Sequence, residues 1–243
     1  MDCSLFSPVL FAVVVATAPA ATNQFYFNDF NSAPGDTYPE WSSSAIRYVS
    51  QATPPGAATL PAPAVTNTAS PNHAQQFLGL FGGPPIGNPG DPGYSRTRVD
   101  QTIRLALTNL PLHTTLRLSF DLYIVRSWDG NSAAYGPDRF RLSVESGPVL
   151  LDTTFSNNPK TTADGSFQDY PAPHSAPGTG AAATNTLGYD NFFRDSTYGL
   201  QYLFPHTSTH ATILFSGSLF EGKGITDEAW GLDNVRVITS NGR

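Results

Sequence analysis

Charge is scarce in this chain of 243 residues: only 13% are Asp, Glu, Lys or Arg, about half the share usual for a soluble domain. Lysine occurs only at Lys160 and Lys223, and the formal net charge is −6 with a pI near 5.2. No basic stripe is present to displace phosphate counterions, which argues against nucleic acid as a partner. Cysteine is confined to Cys3, in an N-terminal segment read below as removed, so the exported chain has no disulfide. A core of this size can do without one. Asn-x-Ser/Thr sequons are also missing, which fits a bacterial source without establishing one.

Catalytic signatures are missing as well. The sequence holds no HExxH, no GxSxG, no phosphate loop and no cysteine nucleophile in the exported part. A sandwich glycosidase needs two carboxylates across a cleft. The nearest candidates, Asp227 and Glu228, are adjacent and would point to opposite faces of a strand, while Glu228 and Asp233 lie across a Gly. The chain therefore reads as a non-enzyme, with a glycoside-active enzyme as the residual alternative. Heptads, a βαβ rhythm and internal repeats are not found either.

What is present is aromatic and turn-rich. Hydrophobic residues make up 40% and aromatics 12%, with 16 Phe and 10 Tyr, beside 21 Gly and 21 Pro. That combination points to many short strands joined by turns around one core. Residues 22–240 read as a single domain, preceded by a targeting segment over 1–21. Pro8 to Ala21 is a short apolar run ending in small-x-small patterns at Ala16-Thr17-Ala18 and Ala18-Pro19-Ala20, as in a signal peptide. Its n-region carries Asp2 and no Lys or Arg, so either the true start lies upstream or the signal is atypical. A buried first strand is the alternative. No second apolar span follows, and the expected fate is export with release, to the medium or the cell surface.

Strand periodicity is strongest in Thr114–Val125, where Leu116, Leu118, Phe120, Leu122 and Ile124 share one face. In Arg98–Leu107, Val99, Ile103, Leu105 and Leu107 oppose Arg98, Asp100, Thr102 and Arg104. Arg139–Glu145 repeats this pattern with Phe140, Leu142 and Val144 inward. Gln24–Phe30, Gln76–Phe81, Val149–Phe155, Tyr198–Phe204, Ala211–Phe215 and Trp230–Ile238 complete about nine strands. The predicted fold is an all-β, antiparallel two-sheet sandwich with long irregular loops. Gln51–Pro71 reads as a surface loop, and 156–197 as a long polar insertion carrying function or disorder. Trp41 and Trp230 adjoin strand sequence and are assigned to the core. Asp121, on the polar face of its strand, is explained by solvation or by a salt bridge to a neighbouring Arg. His206 and His210, four apart, are not read as a metal site.

The run Asn28-Asp29-Phe30-Asn31, then Gly35 and Trp41, together with Gly231–Val237 (GLDNVRV), resembles the opening and closing strands of jelly-roll carbohydrate-binding modules with the galactose-binding-like fold. This chain has no Gly between Asn28 and Asp29, and Asn31 stands where the family has Glu. The resemblance implies a jelly roll, a glycan or polysaccharide ligand, and a structural Ca2+ held by Asp29, Asn31 and Asp233. Calcium takes six to eight oxygen ligands, which two neighbouring strand ends can supply. Alternatively, Asp29 and Asp233 cap strand ends.

The connection Ser127–Asp138 (SWDGNSAAYGPD) is the candidate ligand site. Trp128 and Tyr135 could stack on a sugar ring while Asp129, Asn131 and Asp138 bind its hydroxyls. Asp-Gly is also ordinary hairpin chemistry, and the Trp could cover the core edge. Two functions remain in view: a secreted glycan-binding module, or a structural protein of the cell surface that self-associates or contacts surface proteins.

Overall fold

The computed structural model describes residues 22–31, 36–44, 47–50, 65–67, 76–83, 97–189, 194–220 and 224–241. The apolar segment Pro8–Ala21 lies outside the described residues, as does most of Gln51–Pro71.

Thirteen strands occur among the described residues. In chain order they begin β1 (Thr22–Asn28), β2 (Trp41–Ser43), β3 (Arg47–Ser50), β4 (Val65–Asn67), β5 (Gln76–Phe81), β6 (Thr97–Leu107) and β7 (Thr115–Arg126). They continue β8 (Arg139–Val144), β9 (Val149–Thr154), β10 (Ala183–Thr184), β11 (Asp195–Pro205), β12 (Ala211–Leu219) and β13 (Glu228–Ser240). One sheet runs β10-β11-β7-β13-β5-β4, with β1 also paired to β13; the other runs β2-β6-β12-β8-β9, with β3 also on β6. All pairings are antiparallel. The chain is thus the two-sheet antiparallel sandwich that the sequence pattern predicts, in keeping with the jelly roll that the resemblance implies. No helix among the described residues is long and apolar enough to cross a membrane.

Period-two alternation explains the core. Leu116, Leu118, Phe120, Leu122 and Ile124 of β7 face Val99, Ile103, Leu105 and Leu107 of β6 and Phe140, Leu142 and Val144 of β8 across the interior, all buried. Each large apolar side chain buried this way contributes roughly 1.5–3 kcal/mol. Trp41 and Trp230 are core residues as predicted: Trp230 packs edge-on against Phe140 with ring centres 5.4 Å apart, and Trp41 edge-on against Phe30 at 5.7 Å.

Two departures matter for function. The insertion over 156–197 is not structureless: a helical turn at Thr161–Asp164, β10 and the start of β11 fall within it. Its organiser is the buried Gln168, whose Oε1 accepts from the Ser156 and Gly178 amides at 3.1 Å each and from the Tyr198 hydroxyl at 3.3 Å. The second departure is a bulge in β13 between Asp233 and Arg236, with Asn234 at φ 50°. The extra residue keeps Val235 in the core while Asp233, Asn234 and Arg236 stay off it, on the outer face of the sheet.

Candidate functional site

The connection between β7 and β8 does not present its predicted residues together. Trp128 is 0% exposed, and its indole N–H donates to the Ala229 carbonyl at 2.8 Å. Its ring is part of the core and has no face open to a sugar. Asp129 and Asp138 are also buried, and Asn131 is half-buried, its amide spanning Thr154 and Asp169 at 2.8 Å each. Of the five, only Tyr135 keeps substantial exposure, at 41%.

What this connection forms instead is a buried acidic centre. Oxygens of Asp129, Asp138 and Glu228 lie within 4.8 Å of one another. The register places them: Glu228 is the partner of Arg126, so the start of β13 lies at the mouth of the connection. Asp138 accepts from the Asp129 amide and, at 2.9 Å, from the Phe220 amide, while Asp129 accepts from the Asn158 side chain. Burial, followed by the charge of Asp129, holds the Asp138 carboxyl well above the usual carboxylate range. Three carboxylates in a water-poor interior need a shared proton or a cation to offset their repulsion. As a donor set they are hard, anionic and all oxygen, and their spacing suits Ca–O distances of about 2.3–2.6 Å.

The residues that the resemblance nominated for calcium have other engagements. Asp233 accepts from the Tyr123 hydroxyl at 2.8 Å and from the Asn234 amide at 2.7 Å. Burial, then the charge of Asp233, pushes the Tyr123 hydroxyl well up, so it remains a donor. Asp29 accepts from the Asn31 amide at 3.2 Å, and the Asn31 side chain accepts from the Gln76 amide at 3.4 Å. Neither Asp29 nor Asp233 belongs to the acidic group found among the described residues.

A surface the sequence did not single out lies on the outer face of the seven-stranded sheet. A groove of about 420 Å³ is lined by Phe27, Ser119, Asp121, Gly199, Gln201, Asn234 and Arg236, with Phe120 and Leu200 beneath. Strand register builds it. Gln201 pairs with Ser119, Ser119 with Arg236, and Arg236 with Phe27, so one row crosses four strands. In the next row Gly199, Asp121 and Asp233 align, and the absence of a side chain at Gly199 opens the floor beside Asp121. Phe27 is 41% exposed, and the Arg236 guanidinium lies 4.9 Å from its ring centre. Asp121 pairs not with an Arg but with Asn234, which donates to it at 2.8 Å. The groove thus sets one apolar ring beside a carboxylate, two amides, a hydroxyl and a guanidinium. Only the outward position of Asp121 was legible beforehand; the grouping required the four-strand register and the bulge.

No family model matches the chain, and no curated protein matches it. Among solved structures it is similar to a carbohydrate-binding module studied for specific mannan recognition, at 12% identity and a TM-score of 0.41, over 90% of this chain and 99% of that one. At that identity and score the functional argument rests on this chain's own geometry.

Proposed function

We propose that this protein is an exported, non-catalytic carbohydrate-binding sandwich whose ligand lies in the groove beside Phe27. The observation that carries the reading is the row Gln201–Ser119–Arg236–Phe27, which sets an exposed aromatic ring next to hydroxyl-binding groups on a rigid sheet. A pyranose offers an apolar face to such a ring and hydroxyls to carboxylates and amides. Binding is favoured over hydrolysis because the acids weighed for catalysis do not converge on the groove. Glu228 is enclosed with Asp129 and Asp138, Asp233 is buried under Tyr123, and Asp227 accepts from Ser127 at 2.8 Å. The apolar run at Pro8–Ala21 supports export.

The calcium implied by the family resemblance is reassigned in this proposal to Asp129, Asp138 and Glu228. Bound there, it would neutralise the buried charge and tie the β7–β8 connection to β13. It would have no role in chemistry.

The test is retention of the purified protein on a panel of neutral polysaccharides, with Phe27→Ala measured alongside. Phe27 is half in solvent, so the variant should keep its fold while losing about tenfold or more in affinity, as expected for loss of one stacked ring. Retention unchanged by Phe27→Ala removes the groove from the proposal. Retention on no polysaccharide removes the carbohydrate reading itself and makes self-association the next property to measure.

A further inference from the structure

The opposite face of the sandwich carries a second, larger groove of about 610 Å³ on the outer side of the six-stranded sheet. Three aligned rows form it. Asp100, Ser218 and Arg139 make one; Thr102, Ser216, Arg141 and Asp152 the next; Arg104 and Leu214 the third. Unlike the Phe27 groove, it has no aromatic ring among its described lining residues. A neutral sugar would find hydroxyl partners here but no stacking surface.

Charge is unevenly distributed along its walls. Asp152 serves two cations, accepting from Arg139 at 2.7 Å through one oxygen and from Arg141 at 3.4 Å through the other. One carboxylate therefore faces two guanidiniums. Arg141 is held by the longer contact, and its side chain is 51% exposed. On the far wall Arg104 is fully matched, its two terminal nitrogens meeting both oxygens of Glu145 at 2.7 and 3.0 Å. The floor between the walls is hydroxylic: Thr102 and Ser216 share a hydrogen bond at 2.9 Å, and Ser218 donates to Asp100 at 2.6 Å. Over the whole groove the charges balance, with Asp100, Asp152 and Glu145 against three arginines; the positive excess is confined to the wall where Arg139 and Arg141 share Asp152.

From this we infer that the groove bounded by Arg139 and Arg141 is a second saccharide site, selective for an acidic glycan whose uronate carboxylate bridges the two guanidiniums. A guanidinium presents a planar fork of N–H donors that matches a carboxylate. Arg141 retains donors beyond its single contact with Asp152, while the Ser and Thr hydroxyls meet the sugar ring. Without stacking, attraction is mainly electrostatic and is screened over about 10 Å at 0.1 M salt. The inference extends the carbohydrate reading to a separate surface, and it stands or falls on residues that the Phe27 groove does not share.

The experiment compares retention of the protein on polygalacturonate, on highly methyl-esterified polygalacturonate, on dextran sulfate and on plain dextran, at low and at physiological salt. Expected are retention on polygalacturonate that weakens with salt, little on the ester, and a loss of about tenfold or more with Arg141→Gln, with Arg139→Gln behaving alike. Both side chains are solvent-facing, and thermal melts of the variants check that the fold is kept. Phe27→Ala should leave this retention intact. Equal binding to the esterified polymer, insensitivity to Arg141→Gln, or retention on dextran sulfate alone would each overturn the assignment. Phe27-dependent retention of a neutral polysaccharide together with any of those results would leave the first groove standing and remove only the second.

Discussion

The Trp128 indole nitrogen lies 2.8 Å from the carbonyl oxygen of Ala229, joining the start of the β7–β8 connection to the start of β13. The hydrogen bond and the complete burial of the ring make this tryptophan part of the frame. Trp128→Ala should therefore destabilise the fold by about 3–5 kcal/mol, as large-to-small core substitutions do. A chemical-denaturation midpoint checks this. A fully stable variant with a selective loss of ligand affinity would contradict the structure.

Gly217 faces the core under Trp230. A Cβ added there would sit 2.3 Å from the indole nitrogen and 2.8 Å from its neighbouring carbon. Neither a tryptophan wedged between Phe81 and Phe140 nor the backbone of β12 has room to yield. Gly217→Ala should cost about 1–3 kcal/mol by overpacking, measured as a fall in melting temperature.

Gly199 gives the opposite expectation. A Cβ there meets only Asp121 Oδ1, at the ordinary distance of 3.6 Å, and the residue faces solvent. Gly199→Tyr should fill the groove while changing stability by no more than about 0.5 kcal/mol. Retention on a neutral polysaccharide should fall with this variant as it does with Phe27→Ala.

Calcium should raise the melting temperature of metal-stripped protein, because a ligand that binds only the folded state stabilises it by about 2.7 kcal/mol at a hundred times its Kd. Asp138→Asn should abolish that response. Absence of any shift in protein shown to be metal-free would remove the cation from Asp129, Asp138 and Glu228.

One end of the sandwich should respond to pH. The rings of His113 and His206 stack at 5.1 Å with 11° between planes, and Nε2 of the first lies 2.8 Å from Nδ1 of the second. The His206 pKa is lowered, first by burial and then by the charge of His113. The unfolded chain therefore binds the proton more readily than the native one, and stability is lost as pH falls through the ordinary histidine value of about 6.5. The wild-type melting temperature should drop across that window, and the drop should shrink in His206→Gln.

Much of the frame was legible because β-strands advertise themselves through period two. The inward sets of β6, β7 and β8 follow directly from alternation, and Gln76–Phe81 coincides with a strand end to end. The short strands β2, β3, β4 and β10 were not legible, since two to four residues are too few to show a period. The order within the 156–197 insertion was not legible for another reason. Gln168 and Asn157 order it through side-chain bonds to distant backbone groups, with Asn157 reaching the carbonyls of Ile124, Arg126 and Arg194 at 3.0 Å each. The sites suffered the same limitation. Trp128 looked like a binding residue because its neighbours are polar, whereas its burial is decided by Ala229, a hundred residues on. Glu228 joined Asp129 and Asp138 only once β13 was set beside β7.

The pairing of β1 with β13 has a mechanical consequence. Thr22 lies opposite Ser240 and Asn28 opposite Val235, so the outer ends of both strands meet at the same end of the ladder. Tension applied between Thr22 and Ser240 would load the rungs one after another, opening them like a zipper. It would not shear them all at once. Under pulling, β1 is thus the element that yields first, while β7, flanked by β11 and β13 along its length, keeps both of its ladders.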